Sequence, residues 1–362
     1  MSDGIESQVD GILAEAVRLG ASDVHFTVGL APQVRIGGKW QPLPGTRLKR
    51  GECEALARAF VRDDQGWETF RADWEYDTSY SVPGVGRFRV NLFLQRGSPG
   101  VACRVLPFDI PHFEDLGLPE SLLEGLCMLS SGLVLVCGPT GSGKSTTLAA
   151  MIGHINRTRP AHIVTMEDPI EFLHQHQMSI VDQREVGLDT RSFVSAMRHV
   201  LRQSPDVVLV GEIRDQETVR TAIMLAETGH LVLSTIHSAE VVQGLSRLTD
   251  MFPPDQQEEV KVSLAAVLKA MLVQQLVPRR DHEGERVLAY EAMTVNPAIQ
   301  NQIRTGRFDQ VYSQLQTRHE AGMRTMNDSL LELYRQGEIE ADAAVAKSAR
   351  PDDIQRAFAA RP

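Results

Sequence analysis

Apolar and polar positions change period along the chain. Ile5, Val9, Ile12, Leu13, Ala16 and Val17 recur at helical spacing, which predicts a short amphipathic helix over 5–19. The period then shortens to two. "SDVHFTV" predicts a strand, and "PQVRIGGKWQPL" predicts two short strands around Gly37-Gly38, a pair that tolerates positive φ. "YDTSYSV", "GRFRVNLFL" and "GVACRVL" alternate and are separated by Pro/Gly turns. On "GRFRVNLFL", Phe88, Val90, Leu92 and Leu94 share one face while Arg87 and Arg89 share the other. These elements predict a small α+β domain over 1–107. "PFDIPHFEDLGLP" has three prolines and little periodicity, so 108–119 is the expected interdomain linker.

From Gly132 onward apolar strands alternate with helices, the pattern of a mostly parallel sheet covered by helices. "GLVLVC", "HIVTM", "DVVLV" and "LVLSTI" read as strands. Helices are expected from about Lys144, over "DTRSFVSAMRHVLRQ" with Asp189 or Thr190 as its cap, and over "QETVRTAIMLAET", stopped by Gly229. After Pro254 one long amphipathic helix is expected to about Leu276. Past "RVLAYEAM" the chain reads as helices, one of them opened by Asn296-Pro297 in cap-then-proline order. The expected division is an α/β nucleotide-binding core over 120–290 and a helical C-terminal region over 291–362.

"GPTGSGKST" stands between a strand and a helix and matches G-x-x-x-x-G-K-[ST] in full. Gly138, Pro139, Thr140, Gly141, Ser142, Gly143, Lys144, Ser145 and Thr146 thus form a candidate phosphate loop. Its glycines let successive backbone N–H groups wrap a phosphate. Lys144 reaches the terminal phosphates, the Ser145 hydroxyl meets Mg²⁺, and the helix N-terminus favours the anion. Ligands of parallel α/β sheets lie beyond the carboxyl ends of the strands. Glu167, Asp168 and Glu171 of "EDPIEF" and Glu212 of "DVVLVGEIRD" follow such ends, so they are expected to face the same site. His230 and His237 flank "LVLSTI"; at roughly 3.3 Å per residue they stand about 23 Å apart. His237, at the carboxyl end, is the better γ-phosphate sensor, whereas His230 is open between catalytic and structural roles. His174 and His176 lack a third ligand at useful spacing and read as exposed loop histidines.

The length of 362 residues allows two to three domains, and 42% apolar with 23% charged residues is ordinary for a globular protein. Apolar runs are strand-sized, short of the roughly 18 residues of a membrane span. "MSDGIESQVD" lacks a basic-then-apolar leader pattern. Cys53, Cys103, Cys127 and Cys137 form no C-x-x-C pair, so reduced thiols are expected and no metal other than Mg²⁺. A net charge of −10, with no aromatic-plus-basic stretch, disfavours nucleic acid as the main partner.

"GPTGSGKSTT", "TMEDPIEF", "LRQSPDVVLVGEIRD" and "AETGHLVLSTIH" resemble, in order, the phosphate loop, aspartate box, Walker B box and histidine box of the type II/type IV secretion ATPase superfamily. "SDVHF" and "GRFRVNLF" upstream and "NPAIQNQIR" downstream extend the likeness over almost the whole chain. The short length and missing tetracysteine insert resemble the type IV pilus retraction ATPases, the PilT and PilU groups. That resemblance implies a PAS-like N-terminal domain, a RecA-like ATPase domain and a cytoplasmic homo-hexamer, peripheral at the inner membrane on a pilus platform protein. It implies ATP and Mg²⁺, with Glu171 as the base for water and Glu212 on the magnesium side. It also implies that Arg89 and Arg104 approach the nucleotide. Ala298, Ile299, Asn301, Ile303 and Arg304 match the retraction motif of the group, while Gln300, Gln302 and Thr305 depart from it. Two alternatives stand beside retraction: an accessory or regulatory subunit acting with a second pilus ATPase, and a RecA-like nucleic-acid translocase.

Overall fold

A computed structural model describes residues 2–61, 63–106, 110–280, 284–317 and 322–359. The chain divides into two compact units, Met1–Asp109 with Glu171–Leu173 and Ile110–Ile170 with His174–Pro362.

The first unit is built on a six-stranded antiparallel sheet. Its strands are β1 (Asp23–Phe26), β2 (Gln33–Ile36), β3 (Lys39–Pro42), β4 (Glu75–Val82), β5 (Gly86–Gln95) and β6 (Ser98–Val105), in the order β3-β2-β1-β6-β5-β4. Gly37 and Gly38, at φ of 56° and 79°, make the β2–β3 turn. The alternation on β5 has the expected consequence: Phe88, Val90 and Leu92 are buried and Arg89 is exposed. Leu94 departs from its face and is 40% exposed. Helix Ser2–Arg18 contributes Val9 and Leu13 to the core. Helices Arg50–Phe60 and Asp64–Asp73 are additional to the expected elements. Their signal was present: Cys53, Leu56, Ala57 and Phe60 lie at helical spacing and are buried, and Asp63 caps the Gly66 N–H.

The second unit holds a seven-stranded sheet of β7 (Gly132–Cys137), β8 (His162–Glu167), β9 (Ile180–Glu185), β10 (Val207–Val210), β11 (Leu231–Ile236), β12 (Leu268–Pro278) and β13 (Arg286–Thr294). The order is β13-β12-β7-β11-β10-β8-β9, and every neighbouring pair is parallel except β12–β13. The unit is therefore α/β, with a mostly parallel sheet between two helical layers. β7, β10 and β11 are buried along their whole length, which is why they read as unbroken apolar runs. Helices Glu120–Cys127 and Lys144–Thr158 pack in the core cluster on one side, and Phe193–Val200, Gln216–Glu227, Val241–Asp250 and Gln257–Val267 in that on the other.

Two expectations are corrected. The helix after Pro254 ends at Val267, and Leu268–Pro278 is β12. Leu268, Ala270, Met271, Leu272 and Val273 are at most 1% exposed, and the backbone pairs with β7 on one side and β13 on the other. Two neighbouring strands offer this segment more burial than one helical face could, so tertiary pairing overrides local preference. The helix expected from Asp189 starts at Phe193, with Ser192 accepting from the Ser195 N–H at 3.1 Å. Asp189 instead accepts from the Glu185 N–H at 2.8 Å, fastening the turn after β9. The region past "RVLAYEAM" is helical as expected; "RVLAYEAM" itself lies in β13, and β9 is a strand additional to the expected ones.

Of the stretch expected as a linker, residues 107–109 lie outside the described residues. Phe113 and Leu118 are buried in the second unit, and Phe113 stacks on His154. Helices Pro297–Arg304, Phe308–Thr317, Met326–Arg335, Ala341–Lys347 and Pro351–Ala359 follow β13, and Asn296 accepts from the Ile299 N–H at 2.9 Å.

Candidate nucleotide site

The phosphate loop runs from the end of β7 into helix Lys144–Thr158. Gly138, Gly141 and Gly143 have φ of 143°, 75° and 90°, so the loop takes a path side chains disfavour. At Gly138 space also forbids a side chain: a Cβ would lie 2.4 Å from the Gln274 carbonyl oxygen and 2.5 Å from Ser142 Oγ. Lys144 Nζ donates to the Gly138 and Pro139 carbonyls at 3.0 and 2.9 Å. The lysine thus holds its own loop closed while its charge stays at the loop. Pro139, Thr140 and Gly141 are exposed, Gly143, Lys144, Ser145 and Thr146 half-buried, and Ser142 buried. This glycine cradle at a helix N-terminus, with a lysine and a hydroxyl, fits a nucleotide polyphosphate.

Gln274, which sequence reasoning missed, supports the loop from β12. Its Nε2 donates to Thr147 Oγ1 at 2.9 Å across a separation of 127 residues. No motif marks it; its place follows from the β12–β7 register, in which Val273 pairs with Cys137.

Neighbouring strands deliver the other candidates. Cys137 pairs with Ile236, Ser234 with Val210, and Val210 with Met166. Residues following β7, β11, β10 and β8 therefore emerge side by side. Gly211 suits this crowding: its N–H donates to the Met166 carbonyl at 2.8 Å, and a Cβ there would stand in a tight 3.2 Å contact with that oxygen. Glu212 comes next, with its side chain 18% exposed. Its Oε1 lies 2.9 Å from His237 Nε2, and its Oε2 accepts from Arg214 Nε at 2.8 Å and lies 2.7 Å from Arg214 Nη2. The bond to Glu212 raises the Arg214 pKa above its ordinary value, and Asp168 adds to the rise. His237 is anchored through its carbonyl, which accepts from Arg247 Nη1 at 2.8 Å.

The aspartate box divides. Glu167 Oε1 accepts from Thr165 Oγ1 at 2.6 Å and Gln183 Nε2 at 3.1 Å, which ties β8 to β9. Glu171 is exposed; its neighbour Ile170 is buried and donates its N–H to Glu185 at 3.3 Å.

His230 is set apart from these groups. It stands at the opposite end of β11, whose first residue pairs with Gly132, and its Nδ1 lies 2.9 Å from the Leu225 carbonyl. Six strand residues separate it from His237, and its ring serves the end of helix Gln216–Glu227 instead of the loop. His174 also differs from expectation. It is half-buried, and burial pushes its pKa down to about 4. His176 is exposed and its Nδ1 accepts from the Val181 N–H at 3.0 Å. Among the described residues no group of three or more His, Cys, Asp or Glu side chains could hold a metal ion.

Arg89 and Arg104 belong to the first unit, directly opposite each other on β5 and β6, and both are exposed. Arg104 donates to Asp23 at 3.2 Å. The four cysteines are buried free thiols, and burial pushes Cys127 up to about 12. No described helix is long and apolar enough to cross a membrane.

Residues 87–353 match the family described as type II/IV secretion system protein. The chain is 39% identical over 348 residues to the type IV pilus ATPase PilU of Pseudomonas aeruginosa, covering 96% of this chain and 90% of the relative. It is 41% identical over 343 residues to the type IV pilus retraction ATPase PilT of the same organism, covering 95% and 98%. A crystal structure of the pilus retraction motor PilT with bound ADP aligns at a TM-score of 0.87 and 46% identity, covering 96% of this chain and 98% of that one.

Proposed function

The chain belongs to the type II/IV secretion system protein family, and from that premise we propose that it is an ATPase that powers type IV pilus retraction as a homo-hexamer. The observation that carries the reading is the complete phosphate loop after β7 beside the Glu212–His237 pair, in a chain that a retraction motor matches over 96% of its length. We read the second unit as a RecA-like ATPase domain with a helical C-terminal region, and the first as PAS-like.

Phosphoryl transfer asks little covalent chemistry of a protein, so positioning and charge do most of the work. In this reading the loop amides and Lys144 hold the phosphates. Ser145 and Glu212 would hold Mg²⁺, which when bound offsets phosphate charge. Glu212 already meets Arg214 and His237, so it would help hold the metal from a position fixed by both. His237 then senses the terminal phosphate through its contact with Glu212, and Glu171 orients and deprotonates the attacking water. A cytoplasmic ring docked on an inner-membrane platform protein would turn turnover into fibre disassembly.

One observation favours a second reading, an accessory motor of the PilU kind working with another pilus ATPase. Gln302, a departure from the retraction motif, is buried on helix Pro297–Arg304, where the neighbouring buried positions are Ile299 and Ile303. Deletion and complementation separate the two. Lost twitching with excess surface pili, restored by the wild-type gene and not by Lys144→Ala, supports the principal motor. A mild motility defect supports the accessory one, and unaltered pili in the deletion strain overturn both.

A further inference from the structure

The C-terminal helices are wired to the segment that carries His237. Helix Val241–Asp250 begins four residues after that histidine, and its N-cap residue Glu240 makes no side-chain cap of its own. The buried Val241 N–H at its start is met from elsewhere. Glu291, on β13 and 1% exposed, accepts from the Val241 N–H through Oε1 at 2.6 Å. Its Oε2 accepts from the Met326 N–H at 3.1 Å, the first residue of helix Met326–Arg335. One carboxylate thus serves the starts of two helices, one leading out of the nucleotide site and one in the C-terminal region.

A second tie runs parallel. The Glu240 carboxylate accepts from Arg350 Nε at 3.1 Å. Arg350 lies over the Tyr312 ring, 3.7 Å from its centroid, and its carbonyl accepts from Asn327 Nδ2 at 3.1 Å. Arg350 immediately precedes helix Pro351–Ala359. Between these ties the short segment after β11 has little freedom. Ser238 Oγ donates to the Glu240 carbonyl at 2.6 Å, and the Ala239 N–H donates to Gln243 at 3.0 Å.

We infer that Glu291, Glu240 and Arg350 form a latch through which the C-terminal helices position His237 against Glu212, making Arg350 and Glu291 positioning residues for hydrolysis. Glu291 caps two buried N–H groups for the fold as well, but a fold-only role would not need the Glu240–Arg350 ion pair, since well-packed apolar residues close such a junction at least as well. What the latch adds is a fixed place for residues 237–240. Misplacing an active-site group by about 1 Å costs on the order of 10²-fold in rate.

The inference rests on the ATPase reading, so the test has two readouts. In purified protein, Arg350→Ala should lower kcat on the order of tenfold and leave the KM for ATP within about twofold. In a His237→Ala background the same change should cost less than about twofold, because the residue it positions is gone. Arg350→Lys, which keeps the ion pair, should recover part of the rate. Independently of turnover, amide exchange in residues 237–243 should quicken in Arg350→Ala while helix Lys144–Thr158 keeps its protection. Glu291→Gln serves the same two measurements if Arg350→Ala does not fold. Equal rate losses in both backgrounds, or unchanged exchange at 237–243, overturn the latch. A wild-type protein without turnover whose exchange pattern follows the latch overturns the ATPase reading instead.

Discussion

Replacing Glu291 by glutamine keeps the shape of a fully buried side chain and removes its titration. Burial is the largest influence on this carboxyl and raises its pKa from 4.5 to about 7; the bonds from Val241 and Met326 pull it partly back, Glu240 pushes it further up and Arg350 down. The sign follows from proton counting. Between pH 4.5 and about 7 the folded chain keeps a proton that the unfolded chain releases. The stability from this group is therefore fully present below 4.5 and is lost as pH rises through 7. A rise of that size converts to on the order of 3 kcal/mol. Glutamine adds a constant penalty of about 1–3 kcal/mol, because its amide sets a donor against one backbone N–H. Chemical unfolding of both proteins in parallel from pH 5 to pH 8.5 reads the difference. The wild-type advantage should shrink steadily as pH rises, by about that 3 kcal/mol over the range. A difference that is flat in pH, or that grows in favour of the wild type toward alkaline pH, refutes the assignment.

Glu171→Gln is expected to bind ATP and stall, whereas Glu212→Ala weakens Mg²⁺-nucleotide binding as well; titration with a fluorescent nucleotide and a phosphate-release assay distinguish them, and equal loss of binding would sink the division of roles. Gly138→Ala forces a side chain to 2.4 Å from the Gln274 carbonyl, so it should abolish nucleotide binding and lower stability by about 1–3 kcal/mol, read by thermal denaturation with and without ADP. An arginine-finger role for Arg89 and Arg104 predicts that alanine at either cuts turnover by about 10³-fold or more with nucleotide affinity retained; a loss under tenfold argues for a solvated basic face. Asp215 accepts from the Thr218 N–H at 2.8 Å and from its hydroxyl at 2.9 Å, so Asp215→Ala should cost about 1 kcal/mol by loosening the start of helix Gln216–Glu227, measured as a lower unfolding midpoint.

Local chemistry determined what the sequence could announce alone. The alternation on β5 and the unbroken apolar run of β7 arise within a few residues, so period and burial could be read directly. The phosphate loop is legible for the same reason, since its function needs glycines, a lysine and a hydroxyl in consecutive positions of one turn. The placement of Glu212, His237 and the loop at one end of the sheet also followed from strand direction. Contacts between distant segments were not legible. Leu268–Pro278 carries a pattern that a helix could also bury, and only β7 and β13 on its flanks make it a strand. Gln274 and Glu291 belong to no motif; their partners lie 127 residues away for one and 50 and 35 residues away for the other. The pairing of His237 with Glu212, and the separation of His230 from both, depended on which strands are neighbours and which end of β11 each histidine occupies. Sequence thus determined the chemistry of the loop and the class of the fold. Tertiary structure decided which side chains hold that chemistry in place, because backbone pairing and burial between remote segments leave no period in the chain.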